Sequence, residues 1–154
     1  MSWSKVPMPN PKIIPATITS LIAALAAPAL ADGWTPIETV AYEERGGGDD
    51  WRVVKSFAPG FDAPVRNYEI TGYAVILEAQ ADLEEILLVP DASQCPFCGG
   101  GEGYGPTLSV SFARPIAIPD PTLALTVTGR LVPIADDRTY EAYRLIDARV
   151  LPNG

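Results

Sequence analysis

The chain has 154 residues, with 11 lysines and arginines against 19 aspartates and glutamates, no histidine, two cysteines and a net charge of −8. Without histidine there is no Ser-His-Asp or Cys-His catalytic set, no His-ligated metal and no CxxCH haem attachment. The acidic balance speaks against nucleic acid as a partner, because phosphate binding needs clustered lysine and arginine; a hydrophobic content of 47% against 19% charged residues suffices for one packed domain of ordinary size.

The first element in chain order reads as an export signal. Met1 to Lys12 carry Lys5 and Lys12 and no acid, and Ile13 to Ala31 run without a charge, ending in Ala29-Leu30-Ala31. That is the charged, apolar and small-residue sequence of a secretory signal. The expectation is a signal peptide over 1–31, cleaved after Ala31, and a periplasmic mature protein. An uncleaved anchor is the alternative, and membrane contact is expected only in that case. Pro15 and Pro28 would interrupt such a span. Cleavage removes two lysines and no acid, which deepens the charge to −10 and leaves Lys55 as the remaining lysine.

Residues 32–50 form a lead-in. Glu38 to Glu43 fit either a short helix or an edge strand, and Gly46-Gly47-Gly48-Asp49-Asp50 reads as a flexible hinge before the first strand of a domain over 51–154. That domain has no long helical periodicity and is rich in proline, glycine and short β-branched runs, an all-β texture. Strands are predicted at Trp51–Phe57, Tyr68–Ala79, Glu85–Val89, Thr107–Ala113, Thr122–Val132 and Tyr140–Val150, enough for a small antiparallel barrel of five to six strands. Leu108, Val110 and Phe112 alternate with Ser109 and Ser111, which turns one face to the core and one to water. Leu123, Leu125 and Val127 repeat that pattern. Gly72 and Gly129 interrupt strands where a barrel must bend or bulge, or else mark simple turns. A short helix is expected around Ala79–Glu84, with Glu78, Asp82, Glu84 and Glu85 facing solvent.

One segment carries unusual chemistry, Cys95-Pro96-Phe97-Cys98 followed by a glycine-rich run. A CxxC spacing supports three readings. A thiol–disulfide redox pair needs a helix after the motif to lower the thiolate pKa. Five of the seven residues after Cys98 are glycine, which penalises such a helix by roughly 5 kcal/mol. A metal site is the second reading, with Cys95 and Cys98 as half of a zinc or other soft-metal set, completed by Glu102, by Asp91, or by a second chain in a homodimer. The third and favoured reading is a Cys95–Cys98 disulfide closing a tight surface loop, natural in an oxidising compartment and worth roughly 2 kcal/mol in chain entropy. The acidic pairs Glu43-Glu44, Asp49-Asp50, Glu84-Glu85 and Asp136-Asp137 lack the spacing of a calcium loop and read as a solvated face. Tyr140, Tyr143 and Arg144 read first as half-buried packing and second as a recognition surface.

The pieces Ile70-Thr71-Gly72-Tyr73-Ala74-Val75 with Leu77-Glu78, Ile86-Leu87-Leu88-Val89-Pro90 leading to Cys95, and Val127-Thr128-Gly129-Arg130-Leu131 with Tyr140–Ala148 are similar to a family of small exported bacterial proteins of unknown function, often encoded beside metal-related ABC transporters. The resemblance implies an OB-like barrel with the cysteine on an exposed loop after Leu87-Leu88-Val89-Pro90. It implies a link to metal handling or transport. Many members follow that cysteine with a histidine and a proline-rich run, where this chain has Pro96-Phe97-Cys98 and glycines.

The expectation is therefore an exported, non-enzymatic accessory or binding protein of the cell envelope, with Cys95 and Cys98 as its functional loop and an envelope protein or transporter as its partner. The alternatives are a thiol–disulfide oxidoreductase and a structural subunit docking on a membrane complex through its barrel edge.

Overall fold

The computed structural model describes residues 33–77, 82–92, 105–117 and 119–152. The segment expected to be a signal, 1–31, and the stretch holding Cys95, Cys98 and Glu102 lie outside the described residues. The chain enters through one helical turn, α1 (Thr35–Glu38), which starts with Pro36 near its first position, where a missing N–H costs nothing. It continues into β1 (Ala41–Arg45) and β2 (Arg52–Ser56), an antiparallel pair in register from Ala41 opposite Ser56 to Arg45 opposite Arg52. Between them the glycine run folds into a turn, with Gly46 and Gly48 at φ of 73° and 57°, a region that side chains with a Cβ avoid. The expected hinge is thus the bend of a hairpin. The open alternative for the lead-in resolves into both elements, a helix and then a strand.

Five further strands close into a barrel: β3 (Val65–Val75), β4 (Asp82–Val89), β5 (Leu108–Ala117), β6 (Leu125–Pro133) and β7 (Tyr143–Val150). The ring order is β3-β4-β5-β7-β6, with β6 returning to β3. A ring with an odd number of strands cannot alternate direction all the way round, so one neighbouring pair must be parallel. Here that pair is β5 with β7, and the remaining four pairs are antiparallel. Two sequence expectations are corrected. Trp51–Phe57 holds β2, which lies outside the barrel because β1 takes it as a partner; and Asp82–Glu84 begins β4 instead of ending a helix, because Leu83 pairs with Ile116 and is buried. Asp82, Glu84 and Glu85 face solvent as expected.

The core follows the two-residue period of the strands. Ile70 and Ala74, Ile86 and Leu88, Leu108 and Val110, Val127 and Leu131, and Leu145 are buried in one cluster. Leu123 departs from the expected alternation, since it precedes β6 and is exposed. The alternation slips where the barrel bends. Asn67 (φ 52°) and Asp147 (φ 54°) each sit where one strand carries an extra residue, between Val65 and Tyr68 and opposite the Thr128 to Arg130 step. Asparagine and aspartate tolerate this left-handed region better than other side chains, and Arg130 ties off the Asp147 carboxylate at 3.0 Å.

The lead-in shares the barrel core. Trp34 is buried with Ile37 and Val40 in the same cluster, and its indole Nε1 donates to the Thr71 carbonyl at 2.7 Å. Tyr68 donates its hydroxyl to the Gly33 carbonyl beside it. Gly72 makes room for this plug: a Cβ there would lie 2.5 Å from the Val89 carbonyl oxygen and 3.0 Å from the Trp34 ring. Gly129 performs the same service opposite the Asp147 bulge, where a Cβ would meet the Ile146 oxygen at 2.8 Å. These glycines mark close approaches, while the bulges fall on Asn67 and Asp147. Gly72→Ala should therefore lower stability by about 1–3 kcal/mol, whereas Gly47→Ala, which faces open space, should change it by less than about 0.5 kcal/mol. Denaturant melts of the two variants check this, and equal small effects would contradict it.

Candidate functional site

The hairpin is fastened to the connection between β6 and β7 by side chains reaching in both directions. From β2, Lys55 Nζ donates to the carbonyls of Ile134, Asp136 and Glu141 at 3.1, 2.8 and 2.6 Å. From the connection, Arg138 Nη1 donates to the carbonyls of Asp49 and Trp51, each at 2.8 Å. The Val53 amide bonds the Asp137 carbonyl at 2.8 Å, and an exposed Arg52–Asp137 ion pair at 3.3 Å closes the seam. Burial pushes the Lys55 ammonium below the ordinary lysine range, and the charges of Asp136, Glu141 and Asp137 pull it back. Three carbonyl acceptors and three nearby carboxylates are what a half-buried ammonium needs in place of water.

This seam places two exposed tyrosines together. Tyr140 packs edge-on against Tyr42 of β1 with ring centroids 5.8 Å apart and lies 5.4 Å from Trp51. Its hydroxyl donates to the Glu44 carboxylate. The two rings form part of a groove of about 790 Å³ that runs between α1, the hairpin, the β6–β7 connection and the outer face of β4 and β5. Ile37, Leu87 and Ala142 supply apolar wall, Ser109 and the Gly105–Thr107 stretch entering β5 form one side, and Glu38 and Glu141 complete the lining. Arg144 holds Glu141 with two bonds of 3.0 and 2.7 Å, and the pairing pushes the Arg144 guanidinium above its usual range. A smaller hollow of about 330 Å³ lies against Tyr73, Val75, Val89, Ala92 and Pro121.

The structure divides the residues expected to act together. Tyr140 is 48% exposed on the groove, Tyr143 is 2% exposed inside the barrel, and Arg144 is committed to Glu141. Tyr143 packs on Phe57 at 5.1 Å, and its buried hydroxyl has no hydrogen-bond partner among the described residues. Of the acidic pairs, Glu43 takes Arg45 and Asp137 takes Arg52, all on the surface. Among the described residues no cluster of acids could hold a metal ion, and no helix is long and apolar enough to cross a membrane. Asp91 stands exposed just past the end of β4. The metal and disulfide assignments for Cys95 and Cys98 fall on residues outside the described ones. Sequence reasoning missed the groove, because Tyr42, Leu87 and Tyr140 lie far apart in the chain and only the hairpin brings them together. Tyr140 and Lys55 were the available signals. Compared with protein-family models, curated proteins and solved structures, the chain matches none.

Tyr143 carries a pH dependence. Burial, with the Tyr42 hydroxyl and Asp62 adding to it, pushes its phenol up to about 12. An unfolded tyrosine ionises near 10, so this contribution to stability is present below pH ~10 and is lost as the pH rises from about 10 to about 12. Tyr143→Phe should be at least as stable as wild type at pH 7, since it leaves no partner unpaired, and should lose less stability over that alkaline window. Parallel alkaline losses in the two proteins would contradict the assignment.

Proposed function

We propose that the protein is an exported, non-enzymatic binding module of the cell envelope, an OB-like barrel that offers the groove between hairpin and barrel to a partner. The observation that carries this reading is the groove itself, with two exposed aromatic rings and an apolar wall assembled from three distant stretches of chain. Exposed aromatics beside apolar wall are the usual content of a binding surface. The ring order, with its third and fifth strands paired in parallel, supports the OB-like reading. The outer face of the second and third strands, where such barrels bind ligands, contributes Leu87 and Ser109 to the groove.

The polar groups of the groove favour binding over catalysis. Glu141 is spent on Arg144 and Tyr140 on Glu44. Cys95 and Cys98 fall in the chain between β4 and β5, the connection whose return at Gly105 lines the groove. In an oxidising compartment the pair forms a disulfide, which restrains that connection next to the binding surface. The charge pattern of Met1 to Ala31 supports export.

Intact-mass analysis and thiol counting on protein recovered from the periplasm test this reading. The expected result is a chain beginning at Asp32, no free thiol before reductant, two after it, and a metal content near zero. A chain retained in the cytosol would overturn export. Two free thiols with stoichiometric zinc that Cys98→Ser abolishes would transfer the pair to metal binding, and turnover in an insulin-reduction assay would transfer it to redox catalysis.

A further inference from the structure

The groove has a charge and a shape that narrow its ligand. Its lining contains Glu38 and Glu141 and no lysine or arginine among the described residues. The basic groups near its wall are already committed, Lys55 to three carbonyls and Arg144 to Glu141. Glu38 is exposed and makes no ion pair among the described residues. Tyr42 and Tyr140 expose nearly half of their surface beside it. Aromatic faces next to an uncompensated carboxylate attract a guanidinium or ammonium, through the ring quadrupole and through direct charge.

The strand that carries Tyr42 adds a second condition. β1 pairs with β2 along one edge, no other strand pairs with it among the described residues, and all five of its residues are exposed. An open edge offers main-chain donors and acceptors to an extended segment. Its own sequence, Ala41-Tyr42-Glu43-Glu44-Arg45, opposes pairing with a second copy, because the symmetric antiparallel register sets Glu43 against Glu43, and like charges directly opposite repel.

We infer that the groove and the open edge of β1 together take an extended peptide segment in which basic and apolar side chains alternate. The inference rests on the binding-module reading and names the partner class for that site. Main-chain bonds to β1 hold the segment, a basic side chain lies over Tyr42 and Tyr140 within reach of Glu38, and an apolar side chain enters against Ile37 and Leu87. The net charge of −8 steers such a segment towards the protein and makes its association sensitive to salt.

The test is fluorescence anisotropy of the full-chain protein with a labelled twelve-residue peptide alternating arginine and valine, compared with peptides carrying glutamine or glutamate in place of arginine. The arginine peptide is expected to bind, the glutamine peptide more than about ten-fold more weakly, and the glutamate peptide not at all. Tyr140→Ala should weaken binding about 30-fold and Glu38→Gln about five-fold, while Glu69→Gln, an exposed acid on β3 away from the groove, should leave it unchanged. Equal losses in Glu38→Gln and Glu69→Gln would overturn the inference, since they would report a general attraction to an acidic surface. Equal affinity for the glutamine peptide, or no binding, would overturn it as well. A photo-crosslinking residue in place of Tyr42 in cells separates the two levels. If it traps an envelope protein and Tyr140→Ala abolishes the trapping while the arginine peptide fails, the groove reading stands and the cationic class falls; if both fail, both fall.

Discussion

The Lys55 ammonium lies against three main-chain carbonyls of the β6–β7 connection, and the working surface of the molecule depends on that contact. Main-chain carbonyls arranged around one point need a cation or water, and an ammonium in a half-buried place needs acceptors to replace its hydration. Each half of the arrangement is costly alone, and together they satisfy one another. Among the described residues there are eight arginines and this one lysine. A compact ammonium with three donors suits a small cup of carbonyls better than a planar guanidinium does.

From that contact the remaining geometry follows in order. The closed ring of five strands supplies a rigid body, and its odd number forces the parallel β5–β7 pair. The chain between β6 and β7, residues 134–142, joins two neighbouring antiparallel strands by a long loop in place of a tight turn, with the Ile134 amide still bonded to the Ala142 carbonyl. A segment of that kind has its own polar backbone to satisfy; the hairpin satisfies it through Lys55 and the Val53 amide, and Arg138 of the connection in turn satisfies the hairpin carbonyls of Asp49 and Trp51. Tyr140 is thereby pressed against Tyr42 and Trp51. The exposed ion pairs Arg45–Glu43 and Arg52–Asp137 add little to this, since such pairs on a wet surface are worth less than about 1 kcal/mol.

The barrel strands were largely legible in the sequence because their faces differ. Leu108 and Val110 alternate with serines, and Val127 and Leu131 keep the same spacing across Gly129. The ends were harder to read. Pro115 did not stop β5, which runs on to Ala117 past a register shift where β5 carries extra residues between Ser111 and Ile116. Nothing in the local pattern of Arg52–Ser56 tells whether its partner is a barrel strand or β1, because pairing is a long-range choice that a buried Val53 alone does not decide. The bulges at Asn67 and Asp147 were hidden for a related reason: glycine was the expected carrier of a left-handed residue, and asparagine and aspartate took the role. Cys95 and Cys98 stood out as residues of reactive type, but the groove is made of ordinary ones whose meaning comes from neighbours far away in the chain.

Amide hydrogen exchange on Lys55→Met tests the account most directly. The account predicts that amides of β1 and β2, with Val53 foremost, exchange about 30-fold faster than in wild type, the equivalent of about 2 kcal/mol of lost local hydrogen bonding. Barrel amides at Val127 and Leu145 should keep their protection. Unchanged protection of the hairpin, or hairpin and barrel amides accelerating together, would contradict the claim that the Lys55 ammonium is the principal fastening of the hairpin to the barrel.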